Sequence, residues 1–246
     1  LLLMFSALAA FSANDQADEW YPTVKSDSIG ELTPQQQDAL EMLSPTTRVG
    51  GRSSHTISSP WDWVAGANSE QGRGIATDSN GNAFVTGYFN GTVTFGSTAP
   101  LSSSGYSDIF VAKLSSSGSW SWAKKAGGTE DDKGSSIDVD SNGDAFIVGT
   151  FHQTVTFTTS ITLTANGSSD GYIAKITSSG SWSWAKKIGG NEADYAEGVT
   201  VDSYDDAYVI GRYSSPTANF GNLQVTSTQV AYQNHDIFVA KITNNG

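Results

Sequence analysis

Beyond Pro60, apolar and polar residues alternate at period two in short runs punctuated by Gly, Ser, Asn and Asp. Successive side chains of such a run point to opposite faces, so each run reads as a strand with one face buried. In the middle of the chain the pattern predicts strands over 120–124, 136–140, 145–151 and 172–176. Between the last two, the TVTF and ITLT runs predict an extra hairpin. Ahead of Pro60 the pattern differs. Residues 1–13, LLLMFSALAAFSA, are nearly all apolar, whereas 14–60 is polar and carries Pro22, Pro34, Pro45 and Pro60.

The strand-like runs repeat. GIATDSNGNAFVTGYF from Gly74 returns as SIDVDSNGDAFIVGTF from Ser136 and as GVTVDSYDDAYVIGRY from Gly198, 62 residues apart each time. DIFVAK from Asp108 returns as DGYIAK from Asp170 and DIFVAK from Asp236, and Trp120-Ser-Trp122 matches Trp61-Asp-Trp63 and Trp182-Ser-Trp184. A fixed period of this size signals stacked supersecondary units, and four strands with an excursion per copy is the form of a propeller blade. The expected fold is all-β, a β-propeller-type repeat array of three blades at about 61–119, 120–181 and 182–246. A closed ring usually holds ~4–8 blades, so three make an incomplete propeller. Further blades from beyond Gly246, or self-association, are expected to complete it.

Residues 1–13 end in small side chains and read as the remnant of a secretory signal peptide, too short to span a bilayer that needs ~20 apolar residues. Residues 14–60 read as a polar linker or propeptide with one short helix near 34–43, where Thr33 can cap, Pro34 can open the first turn, and Leu40 and Leu43 share a face. A secreted or cell-surface location follows, with no direct membrane span.

Charge narrows the partners. With 13 basic against 25 acidic side chains the net charge is −12, which excludes the Lys/Arg footprint of a nucleic-acid binder and disfavours anionic lipid surfaces. Hydrophobic residues at 37% and charged ones at 15% leave room for 26 Gly and many Ser, Thr and Asn, a turn-rich composition. The 7 Trp supply apolar surface that disordered chains lack, and the absence of Cys removes disulfides, thiolate metal sites and thiol nucleophiles.

Asp78-Ser-Asn-Gly and Asp140-Ser-Asn-Gly read as hairpin turns, since Asn-Gly tolerates positive φ and the aspartate can cap free N–H groups. Asp202-Ser-Tyr-Asp lacks the Asn-Gly pair, so a strained or longer turn is expected there. Asp138, Asp140, Asn142 and Asp144 also match the first half of a calcium loop, with Gly149 where its bidentate Glu should stand and Ala76 in place of Asp138 in the first copy. No cofactor is therefore expected, and calcium at these four residues is the one metal candidate. Glu70, Asp132 and Asp194 recur in Gly-rich loops, and rotation of the copies would set them in a ring on one face, either facing a cation or basic ligand or, as the preferred reading, lying in solvated loops that cap a neighbouring blade. Each Trp pair places two rings two residues apart, on one strand face, for blade packing or for stacking on sugars. Asp108, Asp170 and Asp236 open a strand that Lys113, Lys175 and Lys241 close, a structural pattern. Asn90 and Asn166 fit the N-glycosylation pattern. His55, His152 and His235 are not equivalent in the repeat, and no G-x-S-x-G or H-E-x-x-H motif occurs, so no enzyme is expected.

GIATDSNGNAFVTGYF, the FG that follows it, DIFVAKL and SGSWSWAKKAGG together resemble the SBBP β-propeller repeat of bacterial and archaeal exported proteins. They are similar in particular to S-layer-like cell-surface glycoproteins. The resemblance implies a non-enzymatic surface module for envelope structure, adhesion or ligand contact, with other surface proteins or glycans as partners. The alternative is a carbohydrate-binding or carbohydrate-processing propeller that uses the Trp pairs or the loop carboxylates.

Overall fold

The computed structural model describes residues 62–67, 71–227 and 235–246, within the unit Ser59–Gly246. The signal-like stretch, the polar segment with its expected helix, Trp61 and Glu70 lie outside the described residues. Every regular element among those described is a strand, and none of them is a helix long and apolar enough to cross a membrane.

The first copy supplies β1 (Gln71–Thr77), β2 (Ala83–Phe89), the two-residue strands β3 (Thr92–Val93) and β4 (Leu101–Ser102), and β5 (Asp108–Leu114). Then follow β6 (Trp120–Ala126), β7 (Asp132–Val139), β8 (Ala145–Phe151), β9 (Thr154–Thr158), β10 (Ile161–Thr164) and β11 (Asp170–Ile176). The rest comprises β12 (Trp182–Gly189), β13 (Asp194–Val201), β14 (Ala207–Tyr213), β15 (Thr217–Phe220), β16 (Leu223–Thr226) and β17 (Asp236–Ile242). They form three antiparallel blades, β1-β2-β5-β6, β7-β8-β11-β12 and β13-β14-β17, with the hairpins β3-β4, β9-β10 and β15-β16 as excursions. This is a β-propeller-type repeat array.

Sheet and sequence copy are out of phase. Each Trp-x-Trp strand closes the preceding sheet: β6 pairs with β5, and β12 with β11, so a sheet takes three strands from one copy and the fourth from the next. The hairpins also bind across blades, through Thr156 with Gly127 and through β15 with β12.

A bulge recurs in the first strand of each blade, at Gly72/Gly74, Gly134/Ser136 and Ala196/Gly198. It brings a carbonyl onto the neighbouring strand, where a Cβ on Gly87, Gly149 or Gly211 would stand 1.9, 1.9 or 2.1 Å from the oxygen of Gln71, Lys133 or Tyr195. Glycine is required there by close backbone approach.

The cores lie between blades. Phe84, Ile109 and Val111 of the first sheet pack with Ile137 of the second, and Val148 and Ile173 of the second pack with Ala196 of the third. The second sheet is covered on both faces, and all seven residues of β11 are buried. In the third sheet the buried residues of β14 alternate with exposed ones, the pattern of a sheet covered on one face.

Candidate functional site

The acidic turns form a repeated device. Asp78 Oδ1 accepts the N–H groups of Asn80 and Asn82, Asp140 Oδ1 those of Asn142 and Asp144, and Asp202 Oδ1 those of Tyr204 and Asp206, at 2.9–3.1 Å. The other oxygen meets the lysine that ends the third strand of the blade: Lys113 at 3.4 Å, Lys175 at 2.9 Å and Lys241 at 3.1 Å. The third turn keeps the length of the other two, with Asp205 (φ 65°) in the place of Gly81 and Gly143. Aspartate tolerates this left-handed conformation. Its carboxylate reaches back to Ser141, accepting from N and Oγ at 2.8 Å each, and these bonds hold the Asp205 carboxyl below its usual range.

The four calcium candidates do not converge on an open site. A cation already stands between Asp140 and Asp144, the Lys175 ammonium at 2.9 and 3.3 Å. Asp138 turns to the next blade, where its Oδ2 accepts the Val201 N–H at 2.7 Å, and Asn142 is exposed. Among the described residues no three His, Asp or Glu side chains are grouped to hold a metal. A cavity of about 340 Å³ opens between the first two turns, lined by Asp78, Asn82, Lys113, Ser141, Asn142 and Ser178 among others.

Asp132 and Asp194 do not face a ligand on a surface ring, because both are fully buried at the junctions between blades. There the N–H of Asp132 donates to Ser107 O at 2.7 Å, and that of Asp194 to Ser169 O at 3.0 Å. The Asp132 carboxylate accepts from Gly128 N (2.6 Å) and His152 N (3.2 Å). That of Asp194 accepts from Gly190 N, Ser214 N, Ser215 N and Ser215 Oγ. Asp108 and Asp170, equally buried, pair with Lys125 at 2.7 Å and Lys187 at 3.6 Å. Burial raises the Asp132 carboxyl to about 7, with the charges of Asp108 and Asp131 adding to the rise, and burial likewise raises Asp170.

The Trp rings serve packing. Trp122 and Trp184 stand edge-on to Phe84 and Phe146, and donate Nε1–H to Ser178 O (3.1 Å) and Asn244 O (3.2 Å) of the next blade. Trp120 and Trp182 stand edge-on to Phe95 and Phe157 instead. The two rings of a pair enter different clusters, because Ser121 has no partner in the register where Trp122 faces Lys113 and Trp120 faces Leu114. Asn90 and Asn166 are exposed. His152 Nδ1 contacts Asp131 O, and His235 Nδ1 lies 2.6 Å from Ser214 Oγ. That Ser–His contact lacks the Asp194 carboxylate as an orienting group, since both its oxygens are occupied by donors of Gly190, Ser214 and Ser215.

The open face of the third sheet is apolar. Ile210, Ile237 and Val239 are 52%, 79% and 68% exposed, whereas their counterparts Val148 and Ile173 in the second sheet, and Ile109 and Val111 in the first, are buried. A groove of about 970 Å³ lined by Ile188, Phe220, Val239 and Ile242 borders β17.

The beta-propeller repeat family, SBBP, matches residues 64–92. An uncharacterized WD repeat-containing protein of Acanthamoeba polyphaga mimivirus is 36% identical over 124 residues, covering 46% of this chain and 9% of the relative. The chain thus matches a small part of that relative's length.

Proposed function

We propose that this chain is a non-enzymatic interaction module of an exported, cell-surface protein, acting in surface structure or adhesion through contacts with other surface proteins or glycans. One observation carries the reading. Among the described residues, the chemically capable side chains that recur are used for structural tasks: turn aspartates cap and pair with lysines, Asp132 and Asp194 accept backbone N–H groups, and the Trp122 and Trp184 indoles bind the next blade. An enzyme on a repeat scaffold needs one copy whose polar groups are released for substrate. The repeat match and the WD-repeat relative support an interaction module, and the signal-like residues 1–13 and the charge of −12 support export to an aqueous surface. The surface role is assigned to the loops and hairpins, where the copies differ: Tyr204 in the third turn is 82% exposed, and exposed threonines line the β9-β10 hairpin.

Surface labelling of intact native cells with a membrane-impermeant biotin reagent tests the location. Labelling supports the reading, and a chain protected until lysis overturns it. A hydrolase activity abolished by one carboxylate substitution, with the fold retained, would overturn the non-enzymatic part.

A further inference from the structure

The buried aspartates at the blade junctions occur in facing pairs, Asp108 with Asp132 and Asp170 with Asp194, one carboxyl from each blade. Asp108 Oδ1 and Asp170 Oδ1 are buried and have no hydrogen-bond partner, although Asp108 Oδ2 accepts from Ser104 N and Lys125 Nζ, and Asp170 Oδ2 from Asn166 N. The free oxygens point at the bare Cα atoms of two glycine pairs. A Cβ on Gly127 would stand 2.3 Å from Asp108 Oδ1, and one on Gly128 would stand 3.6 Å from Asp132 Oδ2. At the second junction one point, the Cβ position of Gly189, lies 2.7 Å from both Asp170 Oδ1 and Asp194 Oδ2, so the two oxygens are no farther apart than twice that distance. A buried acceptor with no donor is costly, and two buried carboxylates facing each other with one lysine between them leave one charge uncompensated.

We infer that each blade junction binds one proton shared by its two carboxyls, so that the pair carries a single negative charge matched by its lysine. The partner held by the stronger ion pair or the larger set of hydrogen bonds keeps the charge. At the first junction that is Asp108, ion-paired to Lys125 at 2.7 Å, and the proton sits on Asp132 and is donated to the free Asp108 oxygen. At the second it is Asp194, which accepts four hydrogen bonds, and the proton sits on Asp170, whose lysine is farther away at 3.6 Å. The charged and titratable groups around the first pair are Lys125 from β6, Asp131 and Lys133 beside Asp132, His152 after β8 and Tyr172 on β11. Around the second they are Lys187 from β12, Tyr213 on β14, which pairs in register with Asp194, Glu192 two residues before Asp194, and His235, whose Nδ1 lies 2.6 Å from the Oγ of Ser214.

The Asp132 carboxyl titrates higher folded than unfolded, so its stabilisation is full below the unfolded value near 3.8, fades as pH rises and is lost above about 7, and Asp170 shifts in the same direction. The test is the melting temperature of the full chain between pH 5 and 8.5, with infrared detection of protonated carboxyl. We expect a Tm lower by about 5 °C or more at pH 8.5 than at pH 5.5, and a protonated carboxyl band at pH 5.5 that fades by pH 8.5. Asp132→Asn and Asp170→Asn each remove the second negative charge of a pair, so each variant raises Tm at pH 8.5 and flattens the pH profile. A wild-type Tm that is flat over this range with no protonated band overturns the proposal, whether or not the variants fold. A Tm that rises with calcium at pH 8.5, in wild type but not in Asp132→Asn, also overturns it and assigns the space to a cation.

Discussion

Lys175 is the cation at the centre of the second acidic turn, with its side chain 7% exposed and its ammonium set between Asp140 and Asp144. Replacing it with Met leaves two carboxylates facing each other without a counter-charge. Removing one partner of a buried pair costs about 3 kcal/mol or more. Urea unfolding of Lys175→Met at pH 7 should show a loss of that order. Lys241→Met, at the exposed counterpart in the third blade, should show far less, because solvent screens that pair. Equal losses would mean that burial does not distinguish the two sites. These turns were legible in the sequence because the chemistry is local: Asp140 caps N–H groups two and four residues ahead. The junction pairs were not legible. Asp108 and Asp132 belong to different sheets, and spacing along a chain does not reveal which side chains face across an interface. The available signal was the Gly-Gly doublet four residues ahead of one aspartate of each pair, Gly127-Gly128 before Asp132 and Gly189-Gly190 before Asp194.

Strands take their place in these blades through contacts made far along the chain. Alternation located the strands and the repeat located the blades, yet neither told that the Trp-x-Trp strand closes the sheet before it, since pairing depends on edges brought together only on folding. The Trp rings fix that strand against its neighbour. Trp122 is half-buried between the first and second blades, edge-on to Phe84, with its indole N–H on Ser178 O. Trp122→Ala should cost about 3 kcal/mol, and Trp122→Phe, which keeps most of the packing and removes the hydrogen bond, about 1 kcal/mol. Thermal or urea unfolding reads both values. Full stability in Trp122→Ala would release the ring from packing and return it to the list of ligand-stacking candidates. The bulge at Gly134/Ser136 makes a second prediction. Gly149→Ala sets a methyl group 1.9 Å from Lys133 O on the adjacent strand, so the strands must part, at a cost of about 3 kcal/mol, whereas Thr159→Ala, at an exposed position in the turn between β9 and β10, should be silent.

At the scale of the whole molecule, the two interfaces between blades can be compared with the open face of the third sheet. Val148 and Ile173 of the second sheet are covered by the first strand of the third, and the same positions in the third sheet carry Ile210 and Val239, exposed and still aliphatic. A surface adapted to water would replace them with polar residues, as the solvent-facing threonines of β9 and β10 do. We propose another sheet of the same repeat as its occupant, since a bulged first strand with Ile137 or Val199 packs on the equivalent face of the first and second sheets. The double variant Ile210→Lys, Val239→Lys discriminates. At exposed positions it should leave the unfolding free energy of the chain within about 0.5 kcal/mol while reducing binding of a hydrophobic dye and any concentration-dependent association seen in sedimentation. A stability loss of about 2 kcal/mol or more, with dye binding unchanged, would mean that the chain already covers this face itself and that the third blade needs no neighbour.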